Sequence, residues 1–268
     1  MARRGIVRGA LVGTLRDRRL WLLQFFANPV LAVLFAVWLL IPVANAWYVV
    51  LNVLVALVIA ASVVVLHGGT LDYFRDRERD DSAPLKPAFV RALRHVLAIA
   101  VCVAVFYLFW RLMDRVDAYQ DSLPAYLRSI MPVFLRRHIT LGFLESAYGW
   151  KVFALRWLIV PGLILPFVIA AADRGFSGFG GAGFAAWKRA VWCLSYWVLL
   201  VVAVIVGVLA TQAVMAWTPN LAASTFRFET ISLVVRAICA YDLGLWAWVL
   251  ACYAVAHASS APVDEAAH

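Results

Sequence analysis

Six long apolar runs leave this chain few folds. They lie at about 20–42, 47–67, 93–113, 152–172, 190–216 and 230–256. A bilayer core about 30 Å thick takes about 20 apolar residues of helix. The runs are apolar all round, whereas a helix on a soluble core keeps one polar face. In hydrocarbon each backbone N–H and C=O must find a partner inside its own segment, so helices are the expected form at this length. The short alternating segments of an outer-membrane barrel are missing. Composition agrees: 65% of residues are hydrophobic, 15% are charged, and the mean hydropathy is +0.87. Soluble domains carry roughly a quarter charged residues. The expected fold is all-α: a single integral membrane domain over 1–268, polytopic, with six transmembrane helices.

The first run follows a basic arm, "MARRGIVRGALVGTLRDRR". It is too long for a signal peptide, and no small-residue cleavage site closes it, so it reads as a retained first helix. Cys102, Cys193, Cys239 and Cys252 all fall inside the runs, which implies buried small hydrophobes and no disulfide framework. The net charge is +9, and its distribution matters more than its size. Six spans put both termini on one side. With them fall Arg3, Arg4, Arg8, Arg16, Arg18, Arg19, Arg75, Arg77, Arg79, Lys86, Arg91, Arg94, Arg174, Lys188 and Arg189, fifteen of the 24 basic residues. The excess of Lys and Arg on cytoplasmic loops therefore predicts cytoplasmic termini, in the inner membrane of a bacterium with an arginine-rich composition. Tryptophans mark the expected boundaries: Trp38, Trp47, Trp110, Trp150, Trp157 and Trp217 at the outer level, Trp21, Trp187 and Trp192 at the inner one.

Between the second and third runs, "RDRERDDSAPLKP" reads as a solvated connection. The longer 114–151 stretch mixes bulky apolar and basic residues. It could lie flat in the outer interface or pack over the bundle as a lid, and the interfacial reading is preferred. Two segments match in register: "AFVRALRHVLAI" (88–99) and "GFAAWKRAVWCL" (183–194), through Phe89, Arg94 and Val96 against Phe184, Arg189 and Val191. With the basic arm they suggest three helical hairpins, each introduced by a short amphipathic inner-face segment. This layout resembles uncharacterised six-helix bacterial membrane families. It is similar to the membrane domain attached to some glycerophosphodiester phosphodiesterases and to a Yip1-like layout. The phosphodiesterase catalytic domain has no counterpart here, so the resemblance implies no such activity.

"ADRGFSGFGGAGFAAWKRAVW" (172–192) contains a literal G-x-G-x-x-G at Gly178, Gly180 and Gly183. A dinucleotide fingerprint needs a strand before the glycines and an acidic residue about 20 positions on. A membrane helix precedes these, and the acid is missing. They read as a chain reversal, with Phe176, Phe179 and Phe184 dipping into the interface. Lys188, Arg189 and Arg94 are the expected contacts to lipid phosphates. A glycine nest for a headgroup phosphate is the sharper alternative.

Asp242, in "RAICAYDLGLWAWVLAC", falls near the middle of the sixth run. A carboxylate there costs roughly 2.5–3.5 kcal/mol on insertion scales, so it is expected to face protein or a water-filled cavity. Arg236, Arg156, Asn28, Thr211 and Gln212 are its candidate partners. Its role is an interhelical bond or a proton- or substrate-linked carboxylate. His67, His95 and His257 fall near the inner boundary and could form a cluster with Asp72 or Asp173, but they lack local metal-ligand spacing. Pro29, Pro161 and Pro166 are expected to interrupt the first and fourth helices, as in transporters with broken helices.

Three function classes remain. The preferred one is a non-enzymatic inner-membrane protein that interacts with membrane lipids or with another membrane protein. The second is a small transporter or permease component that uses Asp242. The third is a membrane enzyme acting on lipid headgroups, built on the three histidines. No cofactor, metal, catalytic residue or nucleic-acid partner is expected.

Overall fold

The computed structural model of the 268-residue chain describes residues 10, 12–15, 17–42, 44–218 and 226–260. Arg3, Arg4, Arg8 and Arg16 of the basic arm lie outside the described residues. Among the described residues every regular element is helical. Six helices are long and apolar enough to cross a membrane: 18–39, 46–79, 96–117, 141–179, 194–216 and 227–260.

Helix α1 (Arg18–Leu39) starts at Asp17, whose side chain accepts the Leu20 N–H at 3.2 Å. Helix α2 (Ala46–Arg79) starts at Asn45, which accepts the Tyr48 N–H at 3.1 Å. Each cap satisfies one of the free donors of a helix start. Pro29 does not interrupt α1, contrary to the expectation from sequence. Pro29 leaves the Phe25 carbonyl without its i+4 donor. The Tyr241 hydroxyl lies 3.4 Å from that oxygen and 3.3 Å from the Gln24 oxygen, and the Asn28 side chain donates to the Gln24 oxygen at 2.9 Å. Local polar groups thus carry the helix past the proline.

The solvated connection expected after residue 67 is largely helix. At 34 residues α2 is about 51 Å long, well beyond a hydrocarbon core. Its last turns are packed: Leu66, Gly68, Gly69 and the stretch Thr70 to Arg75 are buried. A Cβ on Gly68 would sit 2.7 Å from Ile99, and one on Gly69 would sit 2.8 Å from Phe89. These two glycines admit the next segments against the helix. Only 80–84 turns, with the Ser82 N–H and hydroxyl donating to Asp80 at 2.9 and 2.7 Å. Helix α3 (Leu85–Arg94) follows, lying along α2 with Ala88 and Ala92 buried. His95 leaves helical geometry, and α4 (Val96–Asp117) begins.

The chain divides into two compact units, described separately. The smaller spans 101–165. It holds most of α4, then α5 (Ser122–Ile130), α6 (Val133–Arg136) and α7 (Leu141–Ala154), which a π-helical turn, Leu155–Ile159, extends. The fourth span therefore starts at Leu141, eleven residues before the expected position, with Thr140 as its cap. Tyr148 donates to the Val116 oxygen, and the Trp110 and Trp157 rings meet edge to face at 4.8 Å.

The larger unit comprises the described residues up to Ala100 and from Pro166 onward. It receives the end of α8 (Val160–Arg174), which Pro166 does not break. A 3-10 turn (Gly175–Phe179) then leads to α9 (Gly181–Trp192). The fifth span is not continuous from 190. It breaks at Cys193, which is extended, and resumes as α10 (Leu194–Val204), a π turn (Ile205–Ala210) and α11 (Thr211–Ala216). Helix α12 (Phe226–Ser260) is the central element. From Leu245 to Ala258 it is buried against α2, α9 and α10, with Ala247, Ala251, Ala254, Ala256 and Ala258 at the contacts. Small residues let membrane helices approach closely. A Cβ on Gly207 would lie 2.6 Å from the Ala247 methyl. From Phe228 to Ile238, by contrast, the apolar side chains of α12 are exposed.

Candidate functional site: a charged cavity at one end of the larger unit

Asp72, Arg75, Asp76 and Arg79 recur along the last turns of α2 at helical spacing, which puts them on one face. Asp72 has no exposed surface and Arg75 only 7%. The Arg75 guanidinium reaches Asp72 at 2.8 Å, Asp76 at 3.2 Å and Asp173, at the end of α8, at 2.5 Å. Arg91 of α3 donates to Asp72 at 2.7 Å and also to Asp76. Partial burial works against the Arg91 charge, but its bonds to Asp76 and Asp72 outweigh that and its pKa is raised. On the neighbouring face, Asp17 takes hydrogen bonds from Tyr73 and, at 2.8 Å, from Arg77. The network welds α2, α3 and α8 into one block. Two of its atoms are left over among the described residues: the Arg75 Nε is buried with no partner, and Asp72 Oδ1 faces Arg75 at ion-pair distance without hydrogen-bond alignment.

Beside this block is a cavity of about 70 Å³. Its walls are Arg75 and Arg79 from α2, Ile169, Ala170, Asp173 and Arg174 from α8, Gly183, Ala186 and Arg189 from α9, and Ser259 and Ser260 from α12. Arg189 donates through Nε to the Ser259 oxygen at 3.2 Å. The Ser259 hydroxyl is buried and has no partner among the described residues.

The glycine turn fixes this wall without forming a nest of its own. Gly175 has φ +62°, where an L side chain is strained, and its position is pressed by the His95 ring. A Cβ on Gly183 would fall 1.6 Å from the Gly178 oxygen, and one on Gly178 would fall 2.3 Å from the Ala170 oxygen. The backbone closes on itself there and fills the space a glycine cradle would offer a phosphate.

The other singled-out residues have separate surroundings. His67 meets the Trp248 ring edge to face at 5.1 Å, and its Nδ1 is buried without a partner. His257 pairs with Glu78 at 3.1 Å and stacks on Tyr253. His95 ends α3 beside Gly175. Among the described residues no group of three His, Cys, Asp or Glu is placed to hold a metal. Lys188 and Arg94 are exposed, and Arg189 faces the cavity.

Asp242 is exposed on α12, and no hydrogen bond or ion pair joins it to another described residue; of the two settings expected for it, protein or a water-filled cavity, the first is not met within the described residues. Four of its five expected partners are engaged elsewhere. Arg236 donates to the Met215 and Trp217 oxygens at 2.9 and 2.6 Å, closing the end of α11. Arg156 pairs with Asp114 at 2.8 Å inside the smaller unit and lies 5.2 Å over Trp110. Asn28 bonds to Gln24, which donates to Thr70. Thr211 turns to the Val206 oxygen. The sequence singles out Asp72 only beside the histidines and does not reveal the Asp72–Arg75–Asp76–Arg91 network, because these residues fall between two apolar runs. The i, i+3, i+4 spacing of Asp72, Arg75 and Asp76 is the available signal, and it does not extend to Arg91. Nothing in the sequence pointed to Ser259. No protein-family model, curated protein or solved structure matches the chain.

Proposed function

We propose that this is a non-enzymatic protein of the bacterial cytoplasmic membrane, with both termini in the cytoplasm, that works by engaging anionic lipid at its charged end. One observation carries the reading: both short lead-in helices expose apolar residues beside exposed cations. On α3, Val90 and Leu93 are exposed together with Lys86 and Arg94. On α9, Phe184 and Trp192 are exposed with Lys188 one turn from each, and Phe176 of the preceding turn is exposed as well. A short helix with this pairing suits the headgroup boundary, with apolar side chains among acyl chains and cations at the phosphates.

The test compares thermal unfolding of the purified chain in nanodiscs of phosphatidylglycerol and of phosphatidylcholine. The anionic lipid is expected to raise the unfolding temperature, less so at high salt. Replacing Lys86, Arg94 and Lys188 together by Gln is expected to remove most of the difference, at about 1 kcal/mol per cation. Equal behaviour of the two lipids would sink the reading.

Asp242 supports a second, compatible reading, contact with another membrane protein. An exposed mid-helix carboxylate is costly against lipid, and a neighbouring helix would cover it. Cys239, exposed one turn away, is a natural handle. Cross-linking from Cys239 in native membranes should trap a neighbour, and Asp242→Leu should abolish that product. A cross-link that survives Asp242→Leu counts against the contact.

A further inference from the structure

We propose that the cavity between the ends of α2, α8, α9 and α12 is a binding site for a phosphate group. The lead-in helices could meet a membrane surface with no such cavity, so the proposal deepens the lipid reading and rests on it only where the phosphate belongs to a lipid.

Charge is the first argument. Arg75, Arg79, Arg174 and Arg189 line the cavity against a single carboxylate, Asp173. That carboxylate is already occupied, taking Arg75 at 2.5 Å and Arg174 at 3.2 Å. Arg79 makes no hydrogen bond or ion pair among the described residues, and Arg189 commits only its Nε, leaving its terminal nitrogens for a ligand. Planar guanidiniums suit phosphate oxygens, to which they donate paired hydrogen bonds.

Orphaned donors are the second argument. Among the described residues the Ser259 hydroxyl and the Arg75 Nε are both buried without partners, and both residues line this space. Neither atom lies at the cavity surface, so each would turn toward it for an anion to accept from it, which would remove the cost of an unpaired buried polar group. Size is the third. The volume of about 70 Å³ is several times what one water needs. On the walls away from the arginines, Ile169, Ala170 and Ala186 offer nothing that repels an anion.

The phosphate has two possible sources, a lipid headgroup or a soluble phosphate compound. The experiment uses the full-length chain in zwitterionic detergent and measures binding calorimetrically. One arm titrates inorganic phosphate, and the other titrates dihexanoyl phosphatidic acid, with dihexanoyl phosphatidylcholine as control. Saturable binding of phosphatidic acid that inorganic phosphate does not displace assigns the site to a headgroup. Saturable binding of inorganic phosphate assigns it to a soluble anion. In either case Arg79→Gln should weaken binding roughly tenfold, and Arg79→Gln with Arg189→Gln more than that. Lys151→Gln, at an exposed position of the smaller unit, should leave it unchanged.

Arg79→Gln removes an exposed, unpaired cation, so its folding is not at issue. Absence of saturable binding in both arms, or binding indifferent to Arg79→Gln, overturns the proposal. If anionic nanodiscs still stabilise the chain through Lys86, Arg94 and Lys188 in that event, the lipid reading stands and only the cavity falls. Phosphate binding without any nanodisc response would show the reverse.

Discussion

Two guanidiniums reach Asp72, which has no surface of its own to offer water. Charges in such a position are held by their partners, and without Asp72 the buried Arg75 keeps only Asp76 and Asp173 and Arg91 keeps only Asp76. Asp72→Asn is therefore expected to cost about 3–5 kcal/mol, measured as a fall in the detergent unfolding midpoint. Asp76→Asn should cost less, because the Asp76 side chain is 22% exposed and water can take over part of its role. Adding Arg91→Gln to Asp72→Asn should cost less than the sum of the two changes made separately, because the two residues pair with each other. Equal costs for Asp72→Asn and Asp76→Asn would show that burial does not set the energetics of this network. Gly183 is constrained in a different way. Any side chain there strikes the Gly178 oxygen, so the residue is required by backbone contact and not by a ligand.

At the scale of elements, polar groups inside the apolar spans do structural work that hydropathy cannot reveal. Gln24 is fully buried and donates to the Thr70 hydroxyl, which donates in turn to the Leu66 oxygen. Thr70→Val keeps the shape but strands the Gln24 amide, and is expected to cost about 1–3 kcal/mol. Gln24→Leu combined with Thr70→Val should recover part of that loss, since both partners then become apolar. Thermal unfolding of the single and double variants checks this, and a double variant no better than Thr70→Val alone would count against the pairing.

These elements also show how far the sequence could be read. The six spans were legible because a run apolar on all sides has one solvent available to it, and the structure has six such helices. The ends were not. Helix α2 runs twelve residues past residue 67 because Asp72, Arg75 and Asp76 pair along and across it, and hydropathy counts such residues only as polar. The cavity was less legible still. It draws on residues from four helices far apart in the chain, and the residue types themselves, arginine and serine near a membrane boundary, are ordinary ones.

Across the larger unit, packing is graded along the helices. Near the charged end, α12 from Leu245 to Ala258, α2 from Leu66 to Arg75 and α10 from Tyr196 to Ala203 hold most of the buried side chains. Toward the other end, Trp47 to Val58 of α2 and Phe228 to Ile238 of α12 leave large apolar side chains exposed. Burying apolar surface from lipid gains little, because the tails are themselves apolar, so helices are held where ion pairs and small residues hold them. The charged end is thus both the tightest part of the unit and the part carrying the lead-in helices.

The proposed orientation follows from the same asymmetry. Arg75, Arg77, Arg79, Lys86, Arg91, Arg94, Arg174, Lys188 and Arg189 belong to this end, and many of them are neutralised by aspartates. Retention in the cytoplasm counts Lys and Arg and is little affected by acidic residues, so the neutralisation does not weaken the argument. With six crossings, 80–84 and 175–180 should both face the cytoplasm, and 118–122, after an odd number of crossings, the opposite side. In a chain whose four cysteines are alanine, Asp80→Cys and Ser177→Cys should react with a membrane-impermeant maleimide only after the cells are opened. Asp121→Cys should react in intact cells. Labelling of Asp80→Cys and Ser177→Cys from opposite sides would break the six-span topology. Labelling of both in intact cells would invert the orientation and put the charged end, with its cavity, on the outer face.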